Sequence, residues 1–575
     1  MKNGIKSGSN QSQDTSKYEG PKTIDVDVPI GSGTYNMSHD KRGLLIIFHC
    51  SEPAIEECCK ELSSTLKNVG FISKRYRDLK LSQIEKVLCK LQNRNYENED
   101  CIVVAVITKM VDGKFCAYDK TFSADVITLA FTTNNCPGLV GKPKIFLLDG
   151  IGEGPRHGHI LRSVNPQSGK PVSDTSRNGH LKSKTIYHQW SPKPWMLTKR
   201  EKECEVDRIR RLPETADFFI FSGSEEAYRS YSLSKGSRFI QTFCKVMRRF
   251  YKTTSLLDMA LYVIRDTIAL EKQFVQTPIF TSTLTRQMFF CKTKENKMEN
   301  RLPPLSFLPL EAIYIKKGKA LFFIHDQFGH RTKKDFQYAD LESREFRMVL
   351  EDYGFSVEEY KNLTLEKIKN TLSNFLKRDF TEDQSVLVYI NSHGDKKGKI
   401  HSYDAKFNRY EVVTKPFLNN QKYYPTLVGK PKIFVFDACR GGISMDGQYI
   451  ALKRNQGPAP CPCKKVSYKE RKINLNTWPK TSLNAEFLIL SSQCEGYIAK
   501  ETGLIPTLCA ALKSSNEDFL SIVTDVSREK ELTQAKKGKP TASATALTSC
   551  FCHEKEKQPE EKNTMLPYIN HVWNT

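Results

Sequence analysis

Leu139-Val-Gly-Lys-Pro-Lys-Ile-Phe-Leu-Leu-Asp149 and Leu427-Val-Gly-Lys-Pro-Lys-Ile-Phe-Val-Phe-Asp437 are one segment written twice in a single chain. The copies then part. Gly150-Ile-Gly-Glu153 follows the first and Ala438-Cys-Arg-Gly441 the second, so Ile151 stands at the position of Cys439. Upstream, the apolar run Ile102–Ile107 leads into Thr108-Lys-Met110, and Val386–Ile390 leads into Asn391-Ser-His-Gly394. Met110 therefore stands at the position of His393. A thiol and an imidazole are present together in one copy and absent together from the other, the pattern of a duplicated enzyme with one reactive half.

Composition narrows the class. At 575 residues the chain exceeds one ordinary core, and two halves of about 250 residues each match the size at which cores divide. Met1 to Asn10 lacks the apolar run of a signal peptide, and no apolar stretch is long enough to span a bilayer, so a cytoplasmic protein without a membrane partner is expected. In that setting the 17 Cys read as buried or reactive thiols and not as a disulfide framework. Cys461-Pro-Cys463 and Cys550-Phe-Cys552-His553 lack a second pair at ligand spacing, and neither a metal nor another cofactor is expected. The net charge of +23 raises nucleic acid as a partner. Much of the excess sits in His180 to Glu203 and Ala451 to Lys480, without interleaved aromatics or zinc-finger spacing, which fits solvated, cleavable linkers and argues against nucleic-acid binding.

Short Val/Ile/Leu/Phe runs alternate with amphipathic stretches in both halves: Leu44–Phe48, Ile55–Val69 and Ile102–Ile107, then Ala320–Ile324, Leu341–Tyr353, Thr364–Leu376 and Val386–Ile390. Strands apolar on both faces between helices predict an α/β fold with a mostly parallel sheet flanked by helices, made twice. A second block recurs beyond a basic insert, Ala216–Ser222 matching Ala485–Ser491 and Phe239–Cys244 matching Leu504–Cys509. The expected organisation is a disordered leader (1–34), a first domain (35–290) of large block 35–155, linker 156–211 and small block 212–290, a connector (291–317), and a second domain (318–575) of large block 318–446, linker 447–480 and small block 481–575.

His393 and Cys439 each follow an apolar strand, and in open α/β sheets sites form beyond the carboxyl ends of strands. A neighbouring imidazole lowers a thiol's pKa and supplies the proton that a leaving amine needs. Gly394 lets a backbone N–H approach a developing oxyanion, and the Cys439 N–H is the second candidate donor.

Ser392-His-Gly394 and Asp437-Ala-Cys-Arg-Gly441 resemble the His-Gly and QACRG-type motifs of the caspases, and Tyr35-Asn-Met37 with Lys41-Arg-Gly43 is similar to the start of effector-type caspase domains. The likeness covers nearly the whole chain, twice. It implies two tandem caspase-like domains paired as an intramolecular pseudo-dimer. It also implies a cysteine endopeptidase with His393 as general acid/base, Cys439 as nucleophile, and Gly394 with Cys439 as the oxyanion hole. The implied partners are protein substrates, and other caspases or a second copy through the small-block edges. The family's aspartate pocket uses two Arg and one Gln; Arg331 matches one Arg, while Asp437 replaces the Gln and Glu501 the other Arg. In the first half Ser232 stands where Glu501 does. Two acids would repel an Asp side chain and favour Lys or Arg. With Glu501 turned to solvent, Arg331, helped by Lys333 or Lys334, would keep the acidic preference. The alternative to an active enzyme is a decoy that binds and regulates other caspases without cutting.

Overall fold

The computed structural model describes residues 23–29, 33–111, 113–151, 209–212, 214–223, 232–233, 236–269, 277–290, 311–312, 314–329, 339–395, 398–418, 424–438, 441–443, 448–453, 469–470, 487–492, 496–497, 503–514, 518–534, 543–547 and 552–553. The first half contributes strands β1 (Lys41–His49), β2 (Phe71–Arg77), β3 (Glu99–Val111), β4 (Lys144–Ile151), β5 (Phe218–Ser222) and β6 (Ile279–Ser282). The second contributes β7 (Gly318–Ile324), β8 (Phe355–Lys361), β9 (Ser385–Asn391), β10 (Lys432–Asp437), β11 (Phe487–Ser491) and β12 (Ser543–Leu547). Helices follow the same repeat: α1 (Pro53–Val69), α2 (Leu81–Gln92), α3 (Arg238–Phe250) and α4 (Leu256–Ala269), then α5 (Ala339–Asp352), α6 (Leu365–Leu376), α7 (Leu504–Ser514) and α8 (Phe519–Gln534).

The order across the sheet is β8-β7-β9-β10-β11-β12-β6-β5-β4-β3-β1-β2, so the second half runs into the first as its mirror in sequence. The first five strands of each half are parallel and the sixth antiparallel. The seam is the antiparallel pair β6–β12, with Phe280 opposite Ala546, Thr281 opposite Thr545 and Ser282 opposite Ala544. The expected tandem α/β domains are therefore present and paired within one chain.

Burial follows the pleat. Alternate residues of β4, β5, β10 and β11 feed one apolar cluster that is continuous across the seam, from Phe219 and Phe280 to Leu488, Leu490 and Ile522. The opposite face carries two separate clusters, one per half, under α2 and α6. Both α1 and α5 stop at a glycine in the left-handed region, Gly70 (φ 103°) and Gly354 (φ 77°), before the next strand begins. A Cβ on Gly354 would lie 2.0 Å from the Lys316 carbonyl oxygen, so the stop is sterically enforced.

Residues 23–29, within the leader expected to lack order, form a strand. Thr23–Pro29 pairs in parallel with Gln448–Lys453, which pairs antiparallel with Ile209–Leu212, giving a three-stranded sheet outside the main one. Composition alone misses this because the partner strands come from the two basic linkers.

Thr281 lies between Ile220 of β5 and Thr545 of β12, so proline there deprives one neighbour of a ladder hydrogen bond. Thr281→Pro is expected to cost about 2–4 kcal/mol and to free edges that pair between chains. Thermal unfolding and sedimentation at several concentrations check this; an unchanged melting temperature and monomer would contradict the seam.

Candidate functional site

The repeated Lys-Pro-Lys segment is a staple. Lys142 Nζ donates to the carbonyls of Tyr96 (2.6 Å) and Glu99 (2.5 Å), and Lys430 Nζ to those of Phe380, Thr381 (3.1 Å) and Asp383 (2.7 Å). Each ammonium thus gathers the carbonyls of the turn before the neighbouring strand and fixes β4 against β3, and β10 against β9. The second lysine is matched as well: Lys144 lies 5.7 Å from the Phe218 ring and Lys432 5.7 Å from that of Phe487. This segment repeats because it sets strand position. The chemistry lies beyond it.

Asn391 at the end of β9 is opposite Asp437 at the end of β10, and the Ser392 N–H donates to the Asp437 carbonyl at 3.2 Å. His393 and Gly394 follow at once. Gly394 bridges to Ile400 in the hairpin Ile400–His401/Lys406–Phe407, the His401 N–H donates to the His393 carbonyl at 2.9 Å, and Ser392 Oγ donates to the His401 carbonyl at 2.7 Å. The His393 backbone is thereby held at the carboxyl edge of the sheet. Its half-buried ring lies 5.0 Å from that of buried Phe328 and 6.2 Å from that of His401. Neither Phe328 nor His401 is signalled by spacing to His393. Only the fold brings them together.

Ile433 and Val435 belong to the shared cluster and Phe434 and Phe436 to the opposite one, so alternation puts the Asp437 side chain on the shared face with Tyr389. Asp437 is 9% exposed, and the Tyr389 hydroxyl accepts from Asn391 Nδ2 at 3.0 Å. Arg409 closes the other face: its guanidinium lies 5.3 Å from the Phe436 ring and donates to Ser491 Oγ at 2.9 Å.

Cys439, Arg331, Lys333, Lys334 and Glu501 lie outside the described residues. The backbone nearby is informative nonetheless. Gly441–Ile443, just after Cys439, pairs in parallel with Gly496–Tyr497, just before Glu501.

Register corrects one equivalence read from sequence. Ile102 pairs with Lys144 and Val386 with Lys432, so counting outward sets Lys109, not Met110, at the place of His393, and Met110 at that of Gly394. The hairpins agree, Met110 pairing with Phe115 as Gly394 does with Ile400. Lys109 is opposite Ile151, and its ammonium is 2.7 Å from Glu52, whose carboxylate raises its pKa. Nearby, the Gly236 backbone rests so closely on α1 that a Cβ there would be 2.4 Å from both the Ala54 oxygen and the Cys58 sulfur.

Burial pushes the Cys58 thiol up to about 11 and those of Cys136, Cys244 and Cys509 up to about 12. These thiols are packing groups, poorly suited to act as thiolates. No group of three or more His, Cys, Asp or Glu among the described residues could hold a metal, and no described helix is long and apolar enough to cross a membrane.

The family model for the caspase domain matches this chain twice, over residues 45–289 and 317–552. Caspase-1 of Spodoptera frugiperda is 26% identical over 282 residues, covering 46% of this chain and 83% of that protein. Caspase drICE of Drosophila melanogaster is 25% identical over 277 residues (44% and 72%), and caspase-6 of Gallus gallus 24% over 281 residues (44% and 83%). The crystal structure of the Spodoptera frugiperda caspase-1 aligns with a TM-score of 0.37 at 24% identity, covering 48% of this chain and 100% of that one.

Lys430 titrates at about 8, below its ordinary 10.5, because burial penalises the ammonium. Between those values the unfolded chain holds the proton and the folded chain has released it, so this group's contribution to stability rises with pH across that window and is lost as the pH falls through about 8. Lys430→Met should abolish this rise and, at neutral pH, cost about 1–3 kcal/mol for the carbonyls it orphans. Denaturant unfolding of both proteins at neutral pH and near pH 10 tests this; identical pH responses would count against it.

Proposed function

The chain belongs to the caspase family of cysteine proteases, carrying the domain twice, and we propose that its second half is an intracellular cysteine endopeptidase acting in apoptosis or a related proteolytic pathway, with the first half a non-catalytic partner. The observation that carries this is the arrangement at the carboxyl edge of the second half's strands. His393-Gly394 and Ala438-Cys439 leave adjacent parallel strands that are in register at Asn391 and Asp437, about 4.8 Å apart. The corresponding exits in the first half carry Lys109 and Ile151, neither a thiol nor an imidazole.

In this mechanism His393 accepts the Cys439 proton and the sulfur attacks the scissile carbonyl carbon. The carbonyl oxygen becomes an oxyanion held by the N–H groups of Gly394 and Cys439. The C–N bond then breaks as His393 protonates the leaving amine, leaving a thioester. Water, deprotonated by His393, attacks the thioester and releases the acid and the thiol. The rings of Phe328 and His401 limit where the imidazole can turn, which helps hold it in position for proton transfer.

The decoy reading draws on Asp437, Glu501 and Pro506, where the family usually has Gln, Arg and Gln. An acyloxymethylketone probe separates the two, since only a competent dyad is alkylated at Cys439. Cys439→Ala and His393→Ala should each lower kcat/KM on the order of 10³-fold or more; full activity in either variant would remove the assignment. For specificity, two acids in the pocket favour Lys or Arg before the scissile bond. A protease that matures by cutting its own linker would need basic specificity to use most of the segment between Asp446 and Ala485, where Glu470 is the only acid among Lys453, Arg454, Lys464, Lys465, Lys469, Arg471, Lys472 and Lys480; Met445-Asp446-Gly447 is the one aspartate site it offers. A positional-scanning peptide library is expected to rank Lys or Arg above Asp, and Glu501→Arg to shift the ranking toward Asp. Faster cleavage after Asp by the wild type would assign the pocket to Arg331 instead.

A further inference from the structure

We propose that residues 23–29 are a positioning strap, supplied in cis by the first half, that orders the segment following the nucleophile of the second half. The strap rests on the reading of Cys439 as that nucleophile. Three chain segments carry it. Gln448–Lys453 is the middle strand of the small sheet, with Thr23 opposite Tyr449, Ile24 opposite Ile450, Asp25 opposite Ala451 and Val26 opposite Leu452 on one side. On its other side Gln448 is opposite Leu212 and Tyr449 opposite Arg211. Without the leader, this strand keeps one partner and presents an open row of backbone donors and acceptors.

The strap is anchored where the halves meet. Immediately downstream of it, the Gln287 N–H donates to the Gly33 carbonyl at 2.8 Å and the Tyr35 N–H to the Gln287 carbonyl at 3.1 Å. The Tyr35 hydroxyl donates to Asp217 Oδ1 at 2.6 Å, and Gln287 Nε2 donates to Ser521 Oγ on α8 at 3.0 Å. Ile209–Leu212 packs on the same helix. With both ends of the path fixed on one junction, and only three residues between Pro29 and Gly33, bringing them together costs little chain entropy.

The mechanical consequence lies upstream of Gln448. Gly441–Ile443 pairs with Gly496–Tyr497, so the chain leaving Cys439 passes through that pairing and then enters the small sheet. Holding the far end limits the excursions of the near end. The leader therefore acts on Cys439 as a positioning element, with no contact to substrate required.

Two variants of the full chain test this: deletion of residues 1–30, and Ile24→Pro/Val26→Pro, which keeps the length and removes strand N–H groups. Hydrogen exchange of the 449–452 amides is expected to quicken at least tenfold in both, with the alkylation rate of Cys439 and kcat/KM falling at least fivefold. A synthetic peptide of residues 20–32, added to the deletion variant, should restore both. Unchanged exchange would overturn the strap. Quickened exchange with unchanged alkylation and turnover would overturn its positioning role. If the wild type itself is neither alkylated nor active, the proteolytic reading fails and the positioning role with it, while exchange alone still decides the pairing.

Discussion

Three residues of β6 facing three of β12 convert two open sheets into one. A strand edge is a row of unpaired N–H and C=O groups, and a half ending at β6 or β12 would expose one at its sixth strand. The pairing of Phe280, Thr281 and Ser282 with Ala546, Thr545 and Ala544 satisfies those groups within the chain, so no second molecule is needed. It also brings Phe280 beside Phe219 at 5.3 Å on the face whose apolar cluster continues into Leu488 and Leu490 of the second half. Backbone pairing and burial therefore reinforce each other at the same place. The Gln287–Ser521 hydrogen bond and the small sheet of leader and linker strands both depend on the alignment the seam imposes.

The two copies show what duplication conserves. Lys142 and Lys430 perform the same task on different turns, and Lys144 and Lys432 stand over equivalent phenylalanines. Removing either staple would displace a central strand of a twelve-strand path, so both halves need it whatever their chemistry. At the exits of the strands that demand vanishes. In the first half Lys109 reaches out to Glu52, and the Gly236 backbone lies against Ala54 and Cys58.

Much of this was legible in the sequence. Apolar runs located β1, β3, β7 and β9, the amphipathic stretches located α1, α5 and α6, and the repeat identified which half carries the imidazole and thiol. The equivalence of Met110 with His393 was one residue out, because the apolar run of the first copy extends one residue further, Ile107 standing where Asn391 does, and apolar runs alone do not specify where a pairing begins. Only the ladder, Ile102 to Lys144 and Val386 to Lys432, sets that origin. The strand at Thr23–Pro29 was illegible for a different reason. Its partner lies in a linker far along the chain, and a short polar-apolar alternation has no meaning until an edge is available to receive it.

The surroundings of His393 follow the same logic. Phe328 comes from the loop after β7 and His401 from a hairpin after β9, so no local pattern could collect them. They converge because β7, β9 and β10 are neighbours in a parallel sheet, and every loop leaving a carboxyl end emerges at the same edge. Such an edge can change its side chains freely while strand order is preserved. The two copies of the sheet keep the same strand order and differ in what leaves those edges, His393 and Gly394 in one half and Lys109 and Met110 in the other.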